Sequence, residues 1–552
     1  MDKILGLGGS IHDFSACMII GNRLNAIEDE RITKIRYSVN TPNPCLPSVK
    51  YLLENLSTLE SEICCLVYND DLEEIVNSNF SFYKNKFAIN HHLAHAYSSF
   101  FTSNFKQAAV LIADGAGSKK YINNPLDETR ETTSFYFADG ETIREIKKIY
   151  GTLDGINPIS NLQTVMTNSI GEFYRVISEA IGLGWLQGPG KMMGMSSYGK
   201  ADNKIIDYLL ETVSFKDNGE FTINTNGKNG LIDKTFLLID KIKNPKEDNF
   251  SLYATLAKCT QIVFEKLLLH TLDYLYNVTK IDNLCIAGGA ALNSVANGII
   301  KNKTKFKNIH IVPYPGDDGL SIGSAIWGYF NVASLNTTKY DKLERFTPSA
   351  FLSNKYTHDN IINALNDSCC NYKRVKAIAS EIANYISNGK VVARFHGSSE
   401  FGPRALGHRS ILADPRNPNM RDYINFKIKN REWYRPLAPA ILEEYMHEYF
   451  ELGCYSEWMQ FVANVKKDYR AVLPAITHID GSARLQTVSK NTNEDFYCII
   501  DEFRQITGIP IVLNTSFNID GHPIVETPID AISAFKKSAI DVLAIEDFLV
   551  EK

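Results

Sequence analysis

One block occurs twice in this chain, and the repetition limits its fold more than any other feature. An apolar strand at Ile4 to Leu7 runs into a Gly8-Gly9-Ser10 turn, and two strands, Phe14 to Ile20 and Leu24 to Glu28, flank a Gly21-Asn22 turn. The pattern returns where Ala109 to Ala113 runs into Asp114-Gly115-Ala116-Gly117-Ser118 and Thr133 to Phe137 pairs with Thr142 to Ile149 across Asp139-Gly140. Two strand, glycine turn and hairpin units imply an internal duplication with both turns facing a central cleft. Such turns suit nucleotide phosphates, which need approaching backbone N–H groups and no intervening side chains. Ordinary hairpin chemistry is the alternative.

Around these blocks, "PSVKYLLENL" predicts a helix begun by Pro47, residues 251 to 278 predict a long apolar-striped helix, and "IDNLCIAGGAALNSVANGII" reads as strand, Gly288-Gly289 turn and helix. Between about 331 and 372 periodicity is lost and polar residues accumulate, which predicts a linker between domains at 1–345 and 373–552. A length of 552 residues with 44% hydrophobic content suits such a multidomain globular chain. The net charge of -5 lacks the basic excess expected of a nucleic-acid-binding protein. The ten cysteines form no C-x-x-C, and no apolar run approaches the ~20 residues of a bilayer span. The expectation is a reduced, cytoplasmic protein with core cysteines and no membrane partner.

"NHHLAHAYSSFF" has helical spacing. At about 100° per residue, Leu93, Ala96, Tyr97 and Phe100 share one face, while His91 and His95 stand together nearly opposite. Two imidazoles at i and i+4 away from the core form a pincer for a divalent metal; a solvated helix face is the alternative. Asp114 and Asp317, both ending apolar strands, are candidate third and fourth ligands, or else caps of the turns that follow.

The C-terminal part gathers Arg404, Arg409, Arg416, Lys429, Arg431 and Arg435 in about 30 residues near Gly- and Pro-containing turns. Forked guanidiniums and an ammonium suit a small dianion such as a phosphate ester, with Ser516 and Asn518 of "VLNTSFNIDG" as neutral donors. A solvated basic surface is the alternative, disfavoured by the interleaved Trp433 and Tyr434.

"HHLAHA", "GPGKMMGMSSYG", "AGGAALNSVANG", "PGDDGLSIGSA", "EFGPRALGHRSILADPR", "REWYRPLAPAIL", "DGSARLQTV" and "LNTSFNIDGHPIVETPIDA" occur in this order. Together they resemble the O-carbamoyltransferases of nodulation-factor and antibiotic-tailoring pathways, over essentially the whole chain. The resemblance implies an α/β protein with an N-terminal duplicated actin-like ATPase domain (the ASKHA architecture) and a C-terminal YrdC-like domain. It implies a two-site reaction. Carbamoyl phosphate is taken apart in the C-terminal domain, the carbamate is adenylated by ATP, and the carbamoyl adenylate reacts with a sugar or natural-product hydroxyl at the N-terminal metal.

The same resemblance places a metal, typically iron with magnesium as the alternative, on His91, His95, Asp114 and Asp317. It places ATP against Gly115, Gly117, Lys191, Gly288, Gly289, Asn293 and Gly316, and carbamoyl phosphate against Arg404, Lys429, Arg431, Arg435, Ser516 and Asn518. Catalytic roles fall to Lys429, Arg431 and His12, the last as candidate base for the acceptor hydroxyl or else a loop histidine. "ERITKIRYS" departs from the family where Lys is expected near Arg36. Transfer to tRNA would call for a basic face, and hydrogenase-maturation chemistry for C-x-x-C zinc modules. An actin- or chaperone-like ATPase that binds a protein partner would leave the Lys429 set without a role. The acceptor and the oligomeric state are not legible.

Overall fold

The computed structural model describes residues 3–120, 128–154, 165–227, 229–242, 249–332, 345–519 and 521–552, and its architecture is mixed α/β with several sheets. Two compact units form, and neither is continuous. The first comprises residues 1–10, 19–22 and 63–348, and the second comprises 11–18, 23–62 and 349–552. A division at 1–345 and 373–552 therefore differs from the observed one chiefly in residues 11–18 and 23–62, which pack with the C-terminal stretch.

In the first unit, strands Lys3–Gly8, Ile63–Asn69 and Lys86–Ile89 pair in parallel. The second block repeats this arrangement, with Gln107–Ala113, Asn283–Ala287 and Asn308–Ile311 in parallel. The expected hairpin is present as Thr129–Asp139 against Thr142–Asp154, with Thr133 opposite Ile149 and Phe137 opposite Arg144. These parallel strands are apolar along most of their length because helices cover them. Leu320–Asn331 crosses Lys3–Gly8 and the His91–Phe101 helix closely enough that a Cβ on Gly323 would meet the Ala94 carbonyl oxygen at 1.9 Å. The helices expected at Pro47 and at 251–278 are Leu46–Asn55 and Phe250–Thr279.

The second unit contains a ten-stranded sheet within Tyr372–Glu551, with Val392–Phe395, Arg409–Ala413, Ile511–Ser516 and Ala438–Leu442 adjacent at its centre. Helices Ile378–Ser387 and Glu494–Thr507 cover it with Ile382, Ile386, Phe496 and Phe503.

Part of the expected linker is a helix, His358–Asp367. Thr357 and Asn360 cap each other's backbone N–H groups, and Ile361, Ala364 and Leu365 form a buried stripe three and four residues apart. The rest of the linker at 333–344 lies outside the described residues. All ten cysteines are free; five are buried as expected, but Cys369 is exposed and Cys64, Cys370, Cys454 and Cys498 are half-buried. Among the described residues no helix is long and apolar enough to cross a membrane.

Candidate functional site

The His91–Phe101 helix begins at Asn90, whose side chain caps the Leu93 N–H at 3.0 Å. Glu131 accepts the next exposed donor, the His92 N–H, at 3.0 Å, and the His91 N–H donates to Ser118 at 2.7 Å. This start is fixed within the unit rather than set in water. His91 and His95 are fully buried, so the face opposite the apolar stripe is not solvated as a surface helix would have it.

His91, His95, Asp114 and Asp317 come together, each offering one atom within 4.8 Å of the others. His91 Nε2 lies 3.2 Å from Asp114 Oδ2 and 3.6 Å from Asp317 Oδ1, and His95 Nε2 lies 3.5 and 3.7 Å from the same two oxygens. The second polar atoms of Asp114, Asp317 and His91 are already committed. Asp114 Oδ1 accepts the Gly115 and Gly289 N–H groups at 2.7 and 3.1 Å, so both glycine turns anchor one carboxylate. Asp317 Oδ2 accepts the Ser10 hydroxyl at 2.5 Å, which brings in the first glycine turn as well. His91 Nδ1 faces Asp71 at 2.7 Å, which assigns the ring proton to Nδ1.

His91 Nε2 faces the two carboxylates: it donates to Asp114 Oδ2 when it carries a proton and would be free to ligate a metal once that proton is lost. Neither ring nitrogen of His95 has a hydrogen-bond partner, although the ring is buried. A metal–ligand bond of about 2.1 Å places adjacent tetrahedral ligands about 3.4 Å apart, close to the separations found. The donor set therefore fits a divalent metal. The electrostatics agree: burial would raise Asp114, but His91 and His95 hold it well below the usual carboxylate range. Burial and Asp114 raise Asp317, yet the imidazoles lower it overall. Burial would lower His91, but Asp317, Asp114 and Asp71 raise it well above its ordinary value.

The other nominated residues of this unit divide. Gly288, at φ +90°, permits a close approach, since a Cβ there would meet the Ala113 carbonyl oxygen at 2.3 Å. Gly117 packs against the His92 ring, Gly316 precedes the Asp317 turn, and Lys191 lies half-buried in the first turn of helix Gly188–Met195. Asn293 is committed to structure: it caps helix Ser294–Lys303 and exchanges two hydrogen bonds with Gln261. His12 belongs to the second unit, where its Nδ1 lies 3.0 Å from Asp13, and is not one of the four clustered residues.

In the second unit the cations gather. Lys429 ends a π-helical turn at Ile424–Ile428, and its Nζ donates to Ser516 Oγ at 3.2 Å, to Asn518 Oδ1 at 2.5 Å and to both residues' carbonyls. Arg431 is aligned by Asn425 Oδ1 at 2.8 Å. Burial and the neighbouring Arg431, Arg36 and Arg435 push the Lys429 ammonium well down; burial and Arg435 take Arg431 to about 9. Burial takes Arg404 to about 10, and Arg435 is lowered mainly by burial. Arg484 joins them, lowered well below its usual value by burial and by Arg404, Arg435 and Arg431.

Arg484 escaped selection because it is the one charged residue of its strand Ser482–Val488, whereas Arg36 was noted where the sequence departs from the family. Arg409 and Arg416 do not belong to this group: Arg409 donates to the His396 and Gly397 carbonyls, and Arg416 makes a forked pair with Asp414. A buried lysine among half-buried arginines, with mostly other cations for neighbours, suits a multiply charged anion.

Residues 64–326 match the carbamoyltransferase N-terminus family and residues 383–552 the carbamoyltransferase C-terminus family. The chain is 30% identical to nodulation protein NolNO of Sinorhizobium fredii, covering 98% of this chain and 79% of that one. It is 33% identical to nodulation protein NolO of Bradyrhizobium diazoefficiens, covering 84% and 79%. A protein of Synechocystis, sll1178, is 34% identical, covering 84% and 75%. Among solved structures, full-length HypF in its phosphate- and nucleotide-bound form has a TM-score of 0.40 at 14% identity, covering 59% of this chain and 55% of that one. The chain belongs to the carbamoyltransferase family and is a transferase enzyme.

Proposed function

We propose that this carbamoyltransferase takes its carbamoyl group from carbamoyl phosphate, activates it with ATP as carbamoyl adenylate, and transfers it to a hydroxyl of a sugar or natural-product acceptor. In this reading the first unit is a duplicated actin-like ATPase domain and the second is YrdC-like. The observation that carries it is the pairing of two sites of opposite charge in one carbamoyltransferase: a His/Asp cluster that fits a divalent metal, and a buried lysine among half-buried arginines that fits a dianion.

At the cation cluster, Lys429, Arg431, Arg435 and Arg404 hold the phosphate of carbamoyl phosphate, with Ser516 and Asn518 orienting the ammonium. Water cleaves the donor to carbamate and inorganic phosphate. A carbamate oxygen then attacks the α-phosphorus of ATP and expels pyrophosphate. Carbamate itself is a poor electrophile, whereas the adenylate gives its carbonyl a stabilised phosphate leaving group. The acceptor oxygen adds to the carbamoyl carbon, AMP departs, and the hydroxyl proton passes to a base.

His91, His95, Asp114 and Asp317 would hold the metal, iron(II) in the first instance, which supplies Lewis-acid stabilisation worth several kcal/mol. Gly115 and Gly289 fix Asp114, and Ser10 fixes Asp317, so one oxygen of each carboxylate stays directed at the imidazoles. The test is mass spectrometry of enzyme, ATP and carbamoyl phosphate with a panel of glycosidic and polyol acceptors. A gain of one carbamoyl group that requires both donors supports the reading. Transfer that proceeds without ATP contradicts the adenylate.

A further inference from the structure

Lys429 and Arg431 both hang from one irregular turn. The α-helical turn Met420–Tyr423 widens into the π-helical Ile424–Ile428. In an α-helix the Lys429 N–H would bond to the carbonyl of Asn425, four residues back; here it bonds to that of Ile424, five back, at 2.9 Å. The Asn425 carbonyl is thereby released, and it accepts the Arg431 N–H at 3.0 Å. Asn430, at φ +42°, makes the reversal between the two, in a left-handed conformation that asparagine tolerates better than most residues. Widened turns of this kind occur frequently at functional sites.

The side chain of Asn425 completes what its carbonyl begins. It is fully buried, and its Oδ1 accepts the Arg431 Nε–H at 2.8 Å. Its Nδ2 donates to the Arg435 carbonyl at 2.9 Å and to the Trp433 carbonyl at 3.3 Å. A guanidinium on one side and two carbonyls on the other decide which end of the amide is the oxygen. Arg431 Nη2 reaches the Pro436 carbonyl at 3.4 Å, so one edge of the fork is tied to the protein and the plane of the guanidinium is set. The opposite edge, Nη1 with the second Nη2 hydrogen, has the forked geometry that two phosphate oxygens take.

We propose that Asn425 is a positioning residue of the anion site, turning the Arg431 guanidinium so that its Nη1–Nη2 edge meets the phosphate of carbamoyl phosphate. This rests on the reading of Lys429 and Arg431 as part of the carbamoyl phosphate site. Without the amide, Arg431 keeps its charge but loses its direction, and the ordering must be supplied when the ligand binds.

Calorimetric titration of the full chain with carbamoyl phosphate, together with steady-state kinetics, tests it. Arg431→Ala sets the scale, raising Kd about 10- to 150-fold through the loss of a charge-assisted contact. Asn425→Ala raises Kd and KM for carbamoyl phosphate about 5- to 30-fold and leaves bound metal unchanged. In the Arg431→Ala background the same substitution adds less than about 2-fold, because no guanidinium remains to be aligned. Asn425→Asp has the same size and carries the test should the alanine variant not fold: its carboxylate neutralises the guanidinium it faces, and Kd rises at least as far. A purely structural role would lower the melting temperature of both variants and leave the Kd of the folded protein where it was, so a wild-type Kd in either overturns the assignment. Fully additive effects of Asn425→Ala and Arg431→Ala overturn it as well. If carbamoyl phosphate does not bind the wild-type chain, the reading of the anion site falls, and this assignment falls with it.

Discussion

The two clusters differ in the sign of the charge they accumulate. In the first unit Asp114 and Asp317 are held close together, and what opposes their repulsion is a pair of imidazoles directed at them. In the second unit burial lowers Lys429, Arg431, Arg435, Arg404 and Arg484, and repulsion from neighbouring arginines adds to it, with Glu432 the acidic neighbour of Arg431 and Arg435. Each arrangement is costly by itself, because like charges in a low-dielectric site repel and their desolvation is expensive. Each is relieved by a ligand of the opposite sign. Charge of this kind, concentrated where a folded protein would ordinarily disperse it, points to function more directly than fold does.

The comparison breaks most visibly at the imidazoles. His95→Ala removes a primary ligand, so bound metal, read by elemental analysis, is lost and carbamoyl transfer falls by at least about 10³-fold, several kcal/mol of lost stabilisation. Full metal occupancy in that variant would refute the cluster as the metal site. Lys429→Ala acts at the other pole. It keeps its metal but binds carbamoyl phosphate about 10- to 150-fold more weakly, the equivalent of one charge-assisted contact of ~1.5 to 3 kcal/mol.

Asp71 sharpens the comparison. It holds His91 through Nδ1 at 2.7 Å and is itself paired with Arg130 at 2.8 Å. Asp71→Ala should lower metal affinity by about 10- to 100-fold, and Asp71→Asn, whose amide oxygen still accepts the Nδ1 proton, by less. Chelator competition measures both.

The smallest effect has an opposite sign for stability and for binding. Arg484→Met removes one half-buried cation from among like charges while keeping much of its volume, so the ligand-free protein gains about 0.5 to 2 kcal/mol while carbamoyl phosphate binds less well. A melting temperature that falls with unchanged affinity would make Arg484 a structural residue.

The four clustered residues were legible because their signals are local. Two histidines four apart share one helix face, Asp114 directly follows an apolar strand, and Asp317 opens the glycine-flanked turn a few residues after another. The repeated strand and glycine turn were legible for the same reason, whereas strand Ile63–Asn69 and the parallel pairing on either side of it were not. Asp71 was not, because it lies 20 residues from His91 and becomes its partner only when strand Ile63–Asn69 is set beside the histidine helix in three dimensions.

The burial of that helix was also hidden, since Ser98, Ser99 and Thr102 make it look amphipathic until each hydroxyl is seen bonded to a carbonyl of its own helix. In the cation set, residue type and spacing selected Arg409 and Arg416 together with Arg404 and Arg431. Only the pairing of Arg416 with Asp414, and of Arg409 with backbone carbonyls, separates them. The helix His358–Asp367 was missed because its capping residues, Thr357 and Asn360, are the same residue types that mark loops.

The central claim is a division of labour, with activation at the cation cluster and transfer at the His/Asp cluster. Chemically prepared carbamoyl adenylate tests it most directly, because it enters after the first site and before the second. The account predicts that this compound, given with acceptor, restores carbamoylated product in Lys429→Ala to near the wild-type level and leaves His91→Ala inactive. Equal rescue of both variants, or of neither, would contradict the division.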